Sequence, residues 1–211
     1  EANLLEENNE FSYGQIAKEV QAKNTWFSAK EKFDLEKLKK EVEIFNTENQ
    51  LYKKGISLMP IAFGISFTNT SMNHARALIH IYQDGSVGVS TGAVEMGQSV
   101  NTKMLQVAQD ILGIAASKLK IETTNTTRVA NTSPSAASST ADLNGKAVEM
   151  ACNSLIKRLT KVAAKMLLSS EEKIHFKQDF IFVDGKKSEL TWNTLIAQAM
   201  LERVSLSENA H

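Results

Sequence analysis

Two short β-rich runs, Ala77 to Gln83 and Ser86 to Thr91, face each other across Asp84-Gly85 and run directly into Gly92. An Asp-Gly pair between two such runs predicts a two-residue hairpin, because both central positions of the matching turn need positive φ. The hairpin empties into GAVEMGQSVNTKMLQVAQDILG, Gly92 to Gly113, a small-residue turn followed by a helical pattern over Asn101 to Leu112. Met104, Leu105, Val107, Ala108, Ile111 and Leu112 are the apolar residues of that helix, and Gly113 fits its C-terminal cap. A turn that opens a helix exposes backbone N–H groups beside the positive end of the helix dipole, which suits an anion. NTSPSAASSTADLNG, Asn131 to Gly145, repeats the arrangement at the head of a second helix. Both segments also read as ordinary helix caps.

The rest of the chain follows from similar signals. Residues 1–10 are polar. Ser12 and Gln15 have capping-box spacing, which predicts a short helix from Tyr13 to about Lys23, with Trp26 and Phe27 as anchors in the join after it. Asp34 is placed to cap a helix reaching about Asn49, with Leu35, Leu38, Val42 and Phe45 on one face. Ile56 to Thr68 reads as an extended strand, with Pro60 favouring an edge and Gly64 a bulge. Lys118 to Thr124 is the next strand, and Asn125 to Ser133 is too polar for anything but a loop. A long helix runs from about Ser138 to Leu159 and a short one from Val162 to Leu168. Gly145 inside the first costs about 1 kcal/mol against alanine, which points to close packing by a neighbouring helix or a ligand. Ile174 to Val183 and Lys187 to Leu190 predict a hairpin turning at Asp184-Gly185, and Thr191 caps a last helix, Trp192 to Val204. The sum is an α+β fold of antiparallel or mixed sheets with packed helices, divided into an N-terminal helical segment, 1–55, and an α+β portion, 56–211.

Composition removes whole classes of function. The 24 basic and 24 acidic residues balance, so no dense positive field exists for nucleic acid. No apolar run is long enough for a membrane span and the first residues are not a signal peptide, so a cytoplasmic location is expected. Cys152 is the single cysteine, set in a helical apolar pattern as a small hydrophobe. The four histidines, His74, His80, His175 and His211, have no metal-ligand spacing. Glu95 is a candidate general base, although a turn carboxylate more often bonds to backbone or a cation. Gln98, an uncharged donor and acceptor between small residues, suits a heteroaromatic rim or an oxo group. The serine hydroxyls have no base tied to them, and neither a catalytic residue nor a metal ligand emerges from the spacing.

Four stretches carry a resemblance to a known family. These are EVEIFNTENQLYKKGISLMPIAFGISFT, HIYQDGSVGVSTGAVEMGQSVNTKMLQVA, NTSPSAASSTADLNGKAVEMAC and, more weakly, NLLEENNEFSYGQ. They resemble the molybdenum-binding subunit or domain of the xanthine dehydrogenase and aldehyde oxidase family, in its xanthine dehydrogenase-like members. The resemblance implies a molybdopterin cofactor, with [2Fe–2S] clusters and FAD on partner domains or subunits. It implies oxidative hydroxylation of a purine-like substrate with water as the oxygen source. By the same resemblance, Phe67 and Thr68 match a substrate-binding pair, and Gly97 and Gln98 match the residues beside the pterin. Ser135, Ala136, Ala137, Ser138, Ser139 and Thr140 match the loop that wraps the cofactor. Two positions depart from the family's GGxEMGQG: Ala93 and Ser99 stand where it has glycine. A non-catalytic domain that keeps the fold but has lost the cofactor is the alternative. The family's upstream cofactor loops, substrate arginine and catalytic glutamate match nothing here. The chain therefore reads as part of a longer molybdenum domain, inactive by itself and completed by that domain's remaining segments.

Overall fold

The computed structural model describes residues 1–211, which divide into two compact units, 1–63 and 64–211.

In the first unit, α1 (Ala22–Lys32) and α2 (Leu35–Glu48) follow an irregular opening stretch. The predicted helix from Tyr13 to Lys23 does not form. Gly14 at φ 88° and Glu19 at φ 53° turn the chain where a helix would need negative φ, and Phe11 N–H donates to the Gln15 carbonyl across a tight turn. Trp26 and Phe27 consequently lie within α1, not in a join, and the Trp26 indole donates to Glu1. Asp34 does cap α2: its carboxylate accepts from Lys37 N–H at 3.2 Å. Leu35 is buried, with Leu38, Val42 and Phe45 half-buried on the same face. Ile56 to Thr68, expected as a strand, belongs to no sheet. Its apolar alternation fits a pleated surface, but no ladder partner stands beside it.

The second unit is built on a four-stranded mixed sheet formed by β1 (Ala77–Ile81), β2 (Val87–Thr91), β3 (Leu119–Ile121) and β7 (Ser207–Ala210), in the order β3-β2-β1-β7. β1 and β2 form the predicted hairpin, with Ile81 opposite Val87, but of the Asp84-Gly85 pair only Gly85 takes positive φ, 83°, and Gln83 joins them in a loop wider than two residues, closed by Gly85 N–H donating to the Tyr82 carbonyl. β3 pairs with β2 in parallel, which requires the crossover that α3 (Val100–Leu112) supplies. β7 lies antiparallel to β1 on its free edge. α3 and α4 (Thr140–Met166) pack on each other and on the sheet. α4 is one helix where two were expected, because Thr160 to Lys165 contains neither glycine nor proline to stop it.

Ile79 and Val89 of the sheet meet Met104 and Leu112 of α3 and Val148, Leu155 and Leu159 of α4 in one core. Each such side chain contributes about 1.5–3 kcal/mol on full burial. Gly145 faces α3, where a Cβ would lie 3.6 Å from the Met104 methyl. That is ordinary van der Waals contact, so neither the close helix packing nor the ligand expected from the sequence requires this glycine.

A three-stranded antiparallel sheet, β4 (Ile174–Lys177), β5 (Phe180–Val183) and β6 (Lys186–Thr191), precedes α5 (Trp192–Leu201). The stretch expected as one strand from Ile174 to Val183 is itself a hairpin, because Gln178 and Asp179 both take positive φ, 49° and 65°. The second turn falls at Asp184-Gly185 as predicted, and Thr191 caps α5 by accepting from Thr194 N–H.

Candidate functional site

Strand β2 ends at Thr91, and nothing larger than glycine fits at Gly92, the next residue: a Cβ would stand 2.4 Å from the Thr132 hydroxyl. That close approach seats the Asn125–Ser133 loop beside the turn that opens α3. The two expected anion-ready helix starts are thus neighbours. Val94 N–H donates to the Ser135 hydroxyl at 2.8 Å, joining one to the other.

The α3 start is occupied from within by Glu95. Glu95 Oε1 accepts from Gly97 N–H and Ser99 N–H, both at 2.9 Å, and Oε2 accepts from Asn101 N–H at 3.0 Å. These donors hold the Glu95 carboxyl below the ordinary glutamate range, Asn101 N–H contributing most. The expectation of a second free anion site is corrected accordingly. Gln98 folds back over the same turn, donating to the Val94 carbonyl at 2.8 Å and accepting from Met96 N–H at 2.6 Å. Gly97 sits at φ 99° with open space where a Cβ would stand.

The two departures from glycine now separate. Ala93 is buried without positive φ, and its N–H donates to Thr91 Oγ1. Ser99 adopts φ 62° and is strained by roughly 1 kcal/mol, a cost that the Glu95 bonds on either side offset.

The α4 start is different. Ala137 and Ser138 take successive left-handed conformations, φ 52° and 53°, and wrap the loop across the helix end. Ser139 is buried, and its hydroxyl donates to the Ala136 carbonyl. No side chain caps the helix. The carboxamide of Asn144, one turn into α4, donates to the Thr140 carbonyl, while its buried Oδ1 has no partner. Between the two starts lies a cleft of about 310 Å³ lined by Met96, Gln98, Lys103, Ser135, Ala136, Ser138 and Thr140. A helix N-terminus, three hydroxyls, one carboxamide and one ammonium are chemically matched to a polar, anionic ligand. Lys103 is the member that the sequence reading missed; its place one turn into α3 was the only available signal.

Phe67 and Thr68 do not line this cleft. Asn73 clamps Phe67, accepting from its N–H and donating to its carbonyl, both at 2.8 Å. Ser66 N–H donates to the Ala137 carbonyl at 2.9 Å, which ties this pair's segment to the α4 loop. Phe67 is half-buried and Thr68 exposed.

Residues 28–211 match the molybdopterin cofactor-binding domain. The chain belongs to that family. The molybdopterin-binding domain is 42% identical over 170 residues to xanthine dehydrogenase/oxidase of Gallus gallus, covering 81% of this chain and 12% of that protein. It is 36% identical over 209 residues to xanthine dehydrogenase of Dictyostelium discoideum, covering 99% of this chain and 14% of that protein. The chain thus spans a small share of the curated relatives' length. Its fold is that of part of quinoline 2-oxidoreductase from Pseudomonas putida 86, with a TM-score of 0.82 at 20% identity over 96% of this chain and 28% of that one. No helix is long and apolar enough to cross a membrane.

Proposed function

We propose that this molybdopterin-binding domain forms one wall of the active site of a xanthine dehydrogenase-type molybdenum hydroxylase acting on hypoxanthine or xanthine. The observation that carries the reading is the cleft between the two helix starts. Gln98, Ser135, Ser138 and Thr140 line it together, and the uncapped end of α4 opens beside them.

In this reading Gln98 and the 135–140 loop hold the pterin and its phosphate. Ser135, Ser138 and Thr140 offer hydroxyls, while Ala136 and Ala137 keep the loop's surface small. Ser139 braces the loop from behind, and the open face of Gly97 admits the ligand's edge. Lys103 adds a positive charge for the phosphate. When bound, the cofactor supplies the two-electron oxidation and the transfer of a water-derived oxygen. Phe67 stacks the purine ring and Thr68 bonds its polar edge, from a segment pinned to the cofactor loop by Ser66. Electrons pass on to [2Fe–2S] clusters and FAD in partner domains or subunits. The remaining machinery also lies outside these residues, so the chain alone has no turnover.

The left-handed Ser99, braced by Glu95, supports retention of the cofactor over a domain that has lost it. The test is the molybdenum and pterin content of the full-length parent purified with its partners from a host that makes the cofactor, followed by a xanthine–dye assay. About one molybdenum and one pterin per site with purine turnover is expected. A folded parent without either sinks the reading. A parallel xanthine–dye assay on the 211-residue chain is expected to match its heat-killed control.

A further inference from the structure

The turn that opens α3 contains more backbone donors than a turn can usually leave without solvent or ligand. Here four of them are taken by side chains of the same turn. Glu95 takes the N–H groups of Gly97, Ser99 and Asn101, and Gln98 takes that of Met96. A carboxamide has two N–H donors and two acceptor lone pairs. Gln98 uses one N–H on the Val94 carbonyl and one lone pair on Met96, leaving one of each while lining the cleft.

We infer that Glu95 is a positioning residue for this site: its carboxylate fills the α3 helix start and locks the turn, so that Gln98 meets the ligand in one fixed orientation. Glu95 itself does not line the Gln98 cleft; it faces a separate one of about 340 Å³ with Asn101 and Glu122. It acts through the two peptide groups that flank Gln98. The ligand's anionic group is then left to the α4 start, which no side chain caps. This inference rests on the proposed function for the identity of the ligand, but the locking is a property of the ligand-free chain.

The test uses the isotope-labelled chain without cofactor, so its outcome is independent of molybdenum and pterin content in the parent. Glu95→Gln keeps the shape and removes the charge. Amide exchange at Gly97, Ser99 and Asn101 is expected to speed up about tenfold or more, in line with losing charge-assisted bonds. The Gln98 side-chain NH₂ resonances are expected to collapse to the position of a free carboxamide, while Met104 to Leu112 lose no more protection than the rest of the core. A mere stabiliser of α3 would lower protection along the helix and leave the Gln98 resonances dispersed. That result overturns the inference.

Should Glu95→Gln unravel the helix, the double variant Glu95→Gln/Ser99→Gly decides. Glycine relieves the left-handed strain at residue 99 without restoring the carboxylate. A free Gln98 on an intact α3 then supports the inference, and an ordered one overturns it.

Discussion

The indole N–H of Trp192 donates to the carbonyl of Gly85 at 2.8 Å, joining the first residue of α5 to the turn of the β1–β2 hairpin across 107 positions of sequence. Trp192 is 1% exposed, so this bond lies in the core. Its backbone N–H is also engaged, donating to the Asp179 carbonyl in the β4–β5 turn at 2.8 Å. One residue therefore links the hairpin that leads to the candidate site with the C-terminal sheet. Trp192→Phe keeps most of the apolar area but leaves the Gly85 carbonyl short of a partner. The expected loss is about 1–3 kcal/mol of stability, read from chemical denaturation. An unchanged denaturation midpoint would show that water replaces the indole at no cost.

Two glycines, similar in sequence, behave oppositely in the fold. Gly113 ends α3 at φ 65°, and a Cβ there would lie 2.4 Å from the Phe176 backbone. Gly145 is in mid-helix, with only van der Waals contact to Met104 at 3.6 Å. Gly113→Ala is expected to destabilise by at least about 2 kcal/mol, combining left-handed strain with a clash that only backbone movement relieves. Gly145→Ala is expected to stabilise by about 0.5–1 kcal/mol. Thermal unfolding of the two variants side by side measures both signs.

These contrasts mark where sequence reasoning succeeds. Local chemistry announced the β1–β2 hairpin through Asp84-Gly85, α2 through Asp34, α3 through its apolar spacing and Gly113, and α5 through Thr191. Each signal sits within a few residues of its effect. The misses depend on distant partners. Ile56 to Thr68 alternates like a strand but has no neighbour to pair with. β7, Ser-Glu-Asn-Ala, has no apolar pattern and exists because β1 presents an open edge. At the site, the grouping of Gln98 with Ser135, Ser138 and Thr140 came from resemblance, since 37 or more residues separate them. The equal standing of the two helix starts was wrong for a local reason: Glu95 is four residues before Ser99 and caps α3 itself.

Cys152 illustrates how burial silences a reactive group. It is fully buried in α4, and desolvation pushes its thiol up to about 12. At pH 8 only roughly one in ten thousand such thiols is ionised, and reagents have no path to it. The native chain is expected to react with an aromatic disulfide reagent at least about a thousandfold more slowly than the chain in denaturant. Rapid labelling of one thiol without denaturant would reveal opening of the α3–α4 core.

Glu95 sets a pH dependence whose sign follows from its bonds. Its carboxyl is held below the ordinary value of 4.5 in the fold, chiefly by Asn101 N–H, and the unfolded chain has no such donors. A depressed folded value means that the unfolded state takes up the proton first as pH falls. The stabilisation is complete above about 4.5 and is lost as pH drops through the lower folded value. The charged group sharing its cleft is Glu122, which pairs with Arg128 at 3.5 Å and Lys120 at 3.9 Å and is present in wild type and variant alike. Asp84, Glu172 and Glu202 are also held low by their own partners and likewise remain in both proteins. The difference between wild type and Glu95→Gln therefore isolates Glu95. At neutral pH the wild type is expected to melt at the higher temperature, and the gap is expected to close as pH falls below 4.5. A gap that stays constant down through that window would mean that the carboxylate's charge has no part in capping α3, and that shape alone holds the turn.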